Sequence, residues 1–166
     1  MQDVTLIAEI GGNHEGNFES AVALVDLAIE SGADIIKLQL YRGDSIVNQF
    51  VDKERYLHFQ KFELSRSQHE FIAQRVVSAG REYLASIWDI EMLDWMDPFL
   101  ERYKIGSGDL TNKPLLELHA KRGKPLVISS GLARLEEVEQ SVDFIRRVNP
   151  VYSQLNMITV LQCTAM

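Results

Sequence analysis

At 166 residues, 46% of them hydrophobic and 25% charged, the chain is long enough for one soluble domain with a sizeable core. The formal charge of −7 is scattered along the chain, which argues against a nucleic-acid-binding face, and no apolar run approaches the roughly 20 residues that span a bilayer. The single cysteine, Cys163, excludes an internal disulfide, and MQDVTLIAEI lacks the basic start of a signal peptide, so the expected location is cytoplasmic.

Short apolar runs alternate with amphipathic stretches from end to end. The first run, TLIAEI (5–10), is followed by the turn GGNHEG. A helix comes next, in which Asn17 is the predicted cap, Ala21, Leu24, Val25, Ala28 and Ile29 share a face, and Gly32 closes the end. The second strand is ADIIKLQLY (33–41). Residues 42–64 then form an unusually long connection carrying Phe50, Tyr56, Phe59 and Phe62, and they are expected to act as a cover. Ser65 and Gln68 make a capping-box pattern for a helix running to Gly80. Strand EYLASIW (82–88) follows, then a short helix in IEMLDWMDPFL (90–100) that Pro98 interrupts. Strand RYKIGS (102–107) precedes a helix near 112–122 with Pro114 in its first turn and Gly123 after its end. Strand PLVISS (125–130) precedes a helix striped by Leu135, Val138, Val142 and Ile145, and MITVLQC (157–163) is the sixth strand.

Alternating strand and helix with near-continuously apolar strands is the signature of a parallel sheet covered on both faces. The turn GGNHEG departs from the G-x-G-x-x-G dinucleotide fingerprint, which lowers the case for a nucleotide-binding doubly wound sheet. A (β/α)8 barrel needs about 250 residues, so in that reading the chain supplies about the first six strands.

Chemistry in parallel α/β folds gathers at the carboxyl ends of the strands. Polar residues stand at every predicted strand end: Glu9 with Asn13 and His14; Lys37 and Gln39; Ser86 and Asp89; Lys104, Ser107 and Asp109; Ser129 and Ser130; Gln162, Cys163 and Thr164. Each admits a plain reading as well. Lys37 and Lys104 could be partners of buried carboxylates, since unpaired burial costs several kcal/mol, and Glu9 in an apolar strand would suit either of them. Gly106-Ser107-Gly108 alone is more often a turn than a site. Lys104 before it and Ser129-Ser130-Gly131 on the next strand together describe an anion seat of hydroxyls, backbone N–H groups and an ammonium. His14 reads equally well as a loop residue. Cys163 reads as a small buried apolar residue, and the four dispersed histidines have no zinc spacing.

The segments IAEIGGNHEGNFESAVALVDLAIESGADIIKLQ, KIGSGDLTNKPLLE, GKPLVISSGLARLEEVEQSV and LQCT resemble the sialic acid synthase family over nearly the whole chain. The resemblance implies a (β/α)8 TIM barrel and a condensation of phosphoenolpyruvate with N-acetylmannosamine or a related sugar, releasing phosphate. It implies that Lys104, Ser107 and Ser130 hold the phosphate, and that Lys37 and Gln39, in K-x-Q, face the phosphoenolpyruvate carboxylate and the sugar. Glu9 and Asp109 match the family's acidic residues and become the catalytic candidates. Gln162 stands where many members have His.

The family also implies a divalent metal, manganese or magnesium, with both histidine ligands in barrel units not found within 1–166, and an antifreeze-like domain beyond them. Residues 1–166 are therefore expected to be the N-terminal part of a synthase domain, with no metal ligand of their own and little or no turnover alone. Their first and sixth strands are expected to be open edges that favour self-association. The implied partners are small molecules and further copies in a homo-oligomer, without nucleic acid or membrane. Two alternatives stay open: a Schiff-base aldolase using Lys37 or Lys104, and a non-catalytic fragment that partners a full-length synthase.

Overall fold

The computed structural model describes residues 4–164 and divides into two compact units between Leu100 and Glu101. Each contains three parallel strands, paired in chain order, with helices between them.

In the first unit, β1 (Ile7–Gly11), β2 (Ile35–Leu40) and β3 (Glu82–Ile87) pair in register, Glu9 opposite Lys37 and Gln39 opposite Ser86. The pairing of β1 with β2 slips between Glu9 and Gly11. Helix α1 (Phe18–Glu30) starts where its cap was legible, the Asn17 side chain accepting from the Ser20 amide at 2.8 Å. The connection after β2 is not an open loop: it folds into α2 (Gly43–Ile46) and α3 (Lys53–Lys61), with Asp52 capping the latter. Phe59 meets Tyr41 edge-to-face at 5.3 Å and Phe62 lies 4.5 Å from the His58 ring, whereas Phe50 is 90% exposed. The expectation that this segment's aromatics act together as a cover thus fails at Phe50; the others pack on their own unit. Helix α4 (Arg66–Ser78) carries the Ser65/Gln68 capping box and is tied to α1 by a two-pronged Arg75–Asp26 ion pair. Helix α5 (Ile90–Met96) passes into a 3-10 turn at Asp97–Phe99, as Pro98 dictates.

In the second unit, β4 (Tyr103–Ile105), β5 (Leu126–Ser129) and β6 (Ile158–Leu161) are joined by α6 (Lys113–Arg122) and α7 (Leu135–Val148). Pro114 lies in the first turn of α6, and Gly123 ends it in the left-handed conformation at φ 74°. Among the described residues β1 and β6 each pair with a single strand.

Both layers around the strands are closely packed. In the first unit Ile36, Leu38, Val25, Ile72 and Val76 are fully buried, and in the second Leu116, Ile128 and Ile145 are. His69 of α4 is buried in this apolar layer with Nδ1 unpartnered. Burial, with repulsion from His14, pushes its pKa down from 6.5 to about 4. A histidine that resists protonation in the fold but not in the unfolded chain contributes stability that is complete above pH 6.5 and lost as pH falls from 6.5 toward 4. Denaturant midpoints across that range are expected to fall by the equivalent of up to about 3 kcal/mol, and a His69→Phe variant is expected to flatten the dependence.

Candidate active site

Each unit carries part of the predicted polar rim. In the first, β1 and β2 set Glu9 and Lys37 side by side, and the Lys37 ammonium donates to Glu9 Oε2 at 2.5 Å. The pair is lopsided: the Lys37 side chain is 7% exposed and that of Glu9 52%. The ammonium therefore lies beneath a carboxylate that keeps one face open to solvent. Gln39, two residues along and on the same face, is half-buried, and its amide group lies within 4.0 Å of where a Cβ on Gly11 would stand. At the end of β3, Asp89 is buried and accepts from Arg42 Nε at 2.8 Å while its other oxygen accepts from the Glu91 amide. Asp89 serves as an anchor for Arg42 and a cap for α5.

His14, read in the sequence as no more than an even prospect, is buried in the turn after β1. Its Nδ1 accepts from the Gly16 amide at 3.0 Å, and burial lowers its pKa.

In the second unit, Lys104 is buried on β4, and its ammonium donates to Ser129 Oγ at 2.6 Å and to the Ile105 carbonyl at 2.9 Å. After β4 the chain makes a 3-10 turn over Ser107–Asp109, so Gly106-Ser107-Gly108 is a turn and a wall of a cleft at once. That cleft, about 220 Å³, has Ser107, Gly108 and Thr111 on one side and Gly131, Leu132 and Glu137 on the other. The walls approach so closely at Gly131 that a Cβ there would stand 3.0 Å from Cys163 Sγ and 3.3 Å from Ser107 Oγ. Cys163 is half-buried beside this turn, not enclosed in the core as expected. Asp109 is half-buried, with Oδ1 accepting from the Asn112 side chain at 3.4 Å.

Ser130 points elsewhere, its amide and hydroxyl both donating to the Leu161 carbonyl at 3.0 Å. The hydroxyl on Lys104 belongs to Ser129, which the sequence places in the anion seat and to which the family resemblance assigns no role. Its signal was in the pairing: Lys104 lies opposite Val127, so the residue two further along β5 presents the same face. The structure thus brings together Glu9, Lys37 and Gln39 in one unit; in the other it joins Lys104 to Ser129, lines the cleft with Ser107, sets Asp109 in the turn after β4 and bonds Ser130 to Leu161. Among the described residues no three His, Cys, Asp or Glu side chains converge as a metal set. These residues offer no ligand set for a divalent ion, whose ligands the resemblance places elsewhere.

A carboxylate over a lysine in one unit, and a lysine bonded to a serine in the other, lie on the parallel strands near the ends where α/β folds gather their chemistry. Residues 24–166 match the model of the NeuB family, and the chain belongs to that family. It is 33% identical to the N,N'-diacetyllegionaminic acid synthase of Legionella pneumophila over 96% of this chain and 48% of that protein. With the human N-acetylneuraminate-9-phosphate synthase it shares 31% identity over 96% of this chain and 46% of that protein. The crystal structure of the Leptospira borgpetersenii N-acetylneuraminic acid synthetase, in complex with citrate, superposes with a TM-score of 0.88 at 25% identity. That match covers 99% of this chain and 55% of the other. The fold class is accordingly α/β, a (β/α)8 barrel represented by about its first six strands, and the chain spans about half the length of the relatives it matches. Among the described residues no helix is long and apolar enough to cross a membrane.

Proposed function

We propose that this chain carries the phosphoenolpyruvate half-site of a cytoplasmic, homo-oligomeric synthase of sialic or related nonulosonic acids. The observation that supports the reading is the buried Lys104 ammonium, fixed by Ser129, in the same unit as the cleft between Ser107 and Gly131. In the proposed reaction carbon 3 of phosphoenolpyruvate forms a bond to the aldehyde carbon of an open-chain N-acetylated amino sugar. Water adds at carbon 2, and the bond from carbon 2 to the phosphate oxygen breaks to release inorganic phosphate.

Lys104 and Ser107 hold the phosphate in this proposal, and Ser130 joins them by exchanging its bond to Leu161 for one to a phosphate oxygen. Lys37 and Gln39 face the substrate carboxylate and the sugar. Glu9, open on one face and neutralised on the other by Lys37, is the group that orients the attacking water; Asp109 holds a substrate hydroxyl. The described residues offer no group of ligands that would polarise the aldehyde, so residues 1–166 alone are proposed to bind phosphoenolpyruvate without completing the condensation. Isothermal titration of phosphoenolpyruvate into the chain tests the half-site: saturable binding supports it, and no heat at millimolar ligand overturns it.

The lysines also separate this reading from an imine-forming aldolase. An imine-forming aldolase would use Lys37 or Lys104 as its nucleophile, and each of them donates to oxygen acceptors in this structure. Treating the protein with pyruvate and borohydride is expected to leave its mass unchanged; a reduced adduct on Lys37 or Lys104 would favour the aldolase.

A further inference from the structure

The stretch from Glu9 to Asn17 is a succession of tight turns. The Asn13 amide reaches back to the Ile10 carbonyl, Glu15 to Gly12, and Asn17 to His14. Gly11, Glu15 and Gly16 all have positive φ, at 57°, 51° and 79°. Backbone held in this region needs something to over-determine it. Two contacts do so, and both converge on Gly16. On one side its position admits no side chain, because a Cβ would stand 1.8 Å from the Lys61 carbonyl oxygen. On the other its N–H donates to Nδ1 of His14, whose ring is 4% exposed.

That second bond fixes the state of the imidazole. A nitrogen that accepts from an amide carries no proton, so His14 is neutral with its hydrogen on Nε2. Burial opposes a second proton in the same direction. The turn so pinned begins immediately after the register slip between Glu9 and Gly11, where β1 stops following β2. The path of that strand end decides where the Glu9 carboxylate meets Lys37.

We propose that His14 is a positioning residue for Glu9: a neutral imidazole, protonated at Nε2, that pins the β1–α1 turn through the Gly16 amide and thereby holds the strand end on which Glu9 engages Lys37. Its catalytic value rests on the function proposed above, but the pin itself is a property of the fold and is tested without substrate.

The test combines imidazole 15N shifts, Gly16 amide exchange and the Lys37 side-chain 15N resonance, in the wild-type chain and in His14→Asn and His14→Leu. Asparagine keeps an acceptor oxygen near the position of Nδ1; leucine keeps the bulk without an acceptor. The expected results are an Nε2–H tautomer in the wild type and Gly16 protection retained in His14→Asn. In His14→Leu, Gly16 exchange is expected to accelerate about tenfold or more, and the Lys37 signal to broaden as its contact with Glu9 loosens. A proton on Nδ1 in the wild type overturns the proposal even if the leucine variant does not fold. So does equal loss in both variants, or a Lys37 resonance unmoved by His14→Leu. Failure of phosphoenolpyruvate to bind would sink the proposed function and leave these results to decide the role of His14.

Discussion

Lys104→Met is expected to weaken phosphoenolpyruvate binding by at least about a hundredfold, because it removes the charge-assisted bonds that a buried ammonium makes to a phosphate. Methionine matches the length and apolar stem of lysine, so the β4 environment stays filled. What is lost is the donor: Ser129 Oγ and the Ile105 carbonyl each lose a partner. Ser129 is a hydroxyl that can turn to another acceptor, whereas the carbonyl is left short, so a modest fall in stability of about 1–2 kcal/mol accompanies the substitution. Titration at a temperature well below the variant's melting point separates the two effects. Ser129→Ala leaves the charge in place and loosens only its aim, and about tenfold weaker binding is expected. If Lys104→Met binds phosphoenolpyruvate like the wild type, the ammonium is a structural partner in β4 and the seat lies elsewhere.

Gly16→Ala is expected to be the most destabilising single-methyl change in the first unit. Two costs combine there. A left-handed φ of 79° costs an L side chain about 1–2 kcal/mol on its own. The added Cβ would also stand 1.8 Å from the Lys61 carbonyl oxygen, and a backbone atom cannot swing aside as a side chain can. Gly32 supplies the control: its φ is 85°, but nothing lies within 4 Å of its Cβ position, so Gly32→Ala pays the conformational cost alone. For a chain of this size a destabilisation of 1 kcal/mol lowers the melting temperature by about 2–4 °C. Gly32→Ala is therefore expected to melt a few degrees below the wild type, and Gly16→Ala on the order of 10 °C below it or to fail to fold. Equal melting temperatures for the two variants would mean that the β1–α1 turn and the Lys61 segment are not in contact in solution.

Much of this architecture is written locally. Asn17, the Ser65/Gln68 pair and the Pro114-to-Gly123 frame each act within a few residues, through bonds to their own helix, and each lies where its chemistry puts it. The strands were legible for a related reason: runs covered on both faces have little freedom of composition. The 42–64 segment misled because its aromatics stood out, while the Asp52 cap ahead of α3, an equally local signal, did not; α3 has no buried residue and hence no apolar stripe. The candidate site divides in the same way. Lys37 with Glu9 follows from two strands in register. The Ser129 hydroxyl on Lys104 needs a register between strands far apart in sequence, and the bond of its neighbour Ser130 to Leu161 needs another. His14 was unreadable for a different cause. Its role depends on Lys61 closing over Gly16 and on His69 lying nearby, neither of which the turn itself announces.

The claim at the centre is that this chain holds phosphoenolpyruvate by its phosphate at Lys104 and Ser107. The most direct measurement is phosphorus NMR of phosphoenolpyruvate titrated with the wild-type chain and with Lys104→Met, alongside amide shifts of residues 104–111 and 129–133. The account predicts a saturable change in the phosphorus resonance that the variant abolishes, with amide shifts concentrated at Ser107, Gly108 and the Ser130-Gly131 turn. Saturable binding that is indifferent to Lys104→Met, or amide shifts confined to other residues, would contradict it.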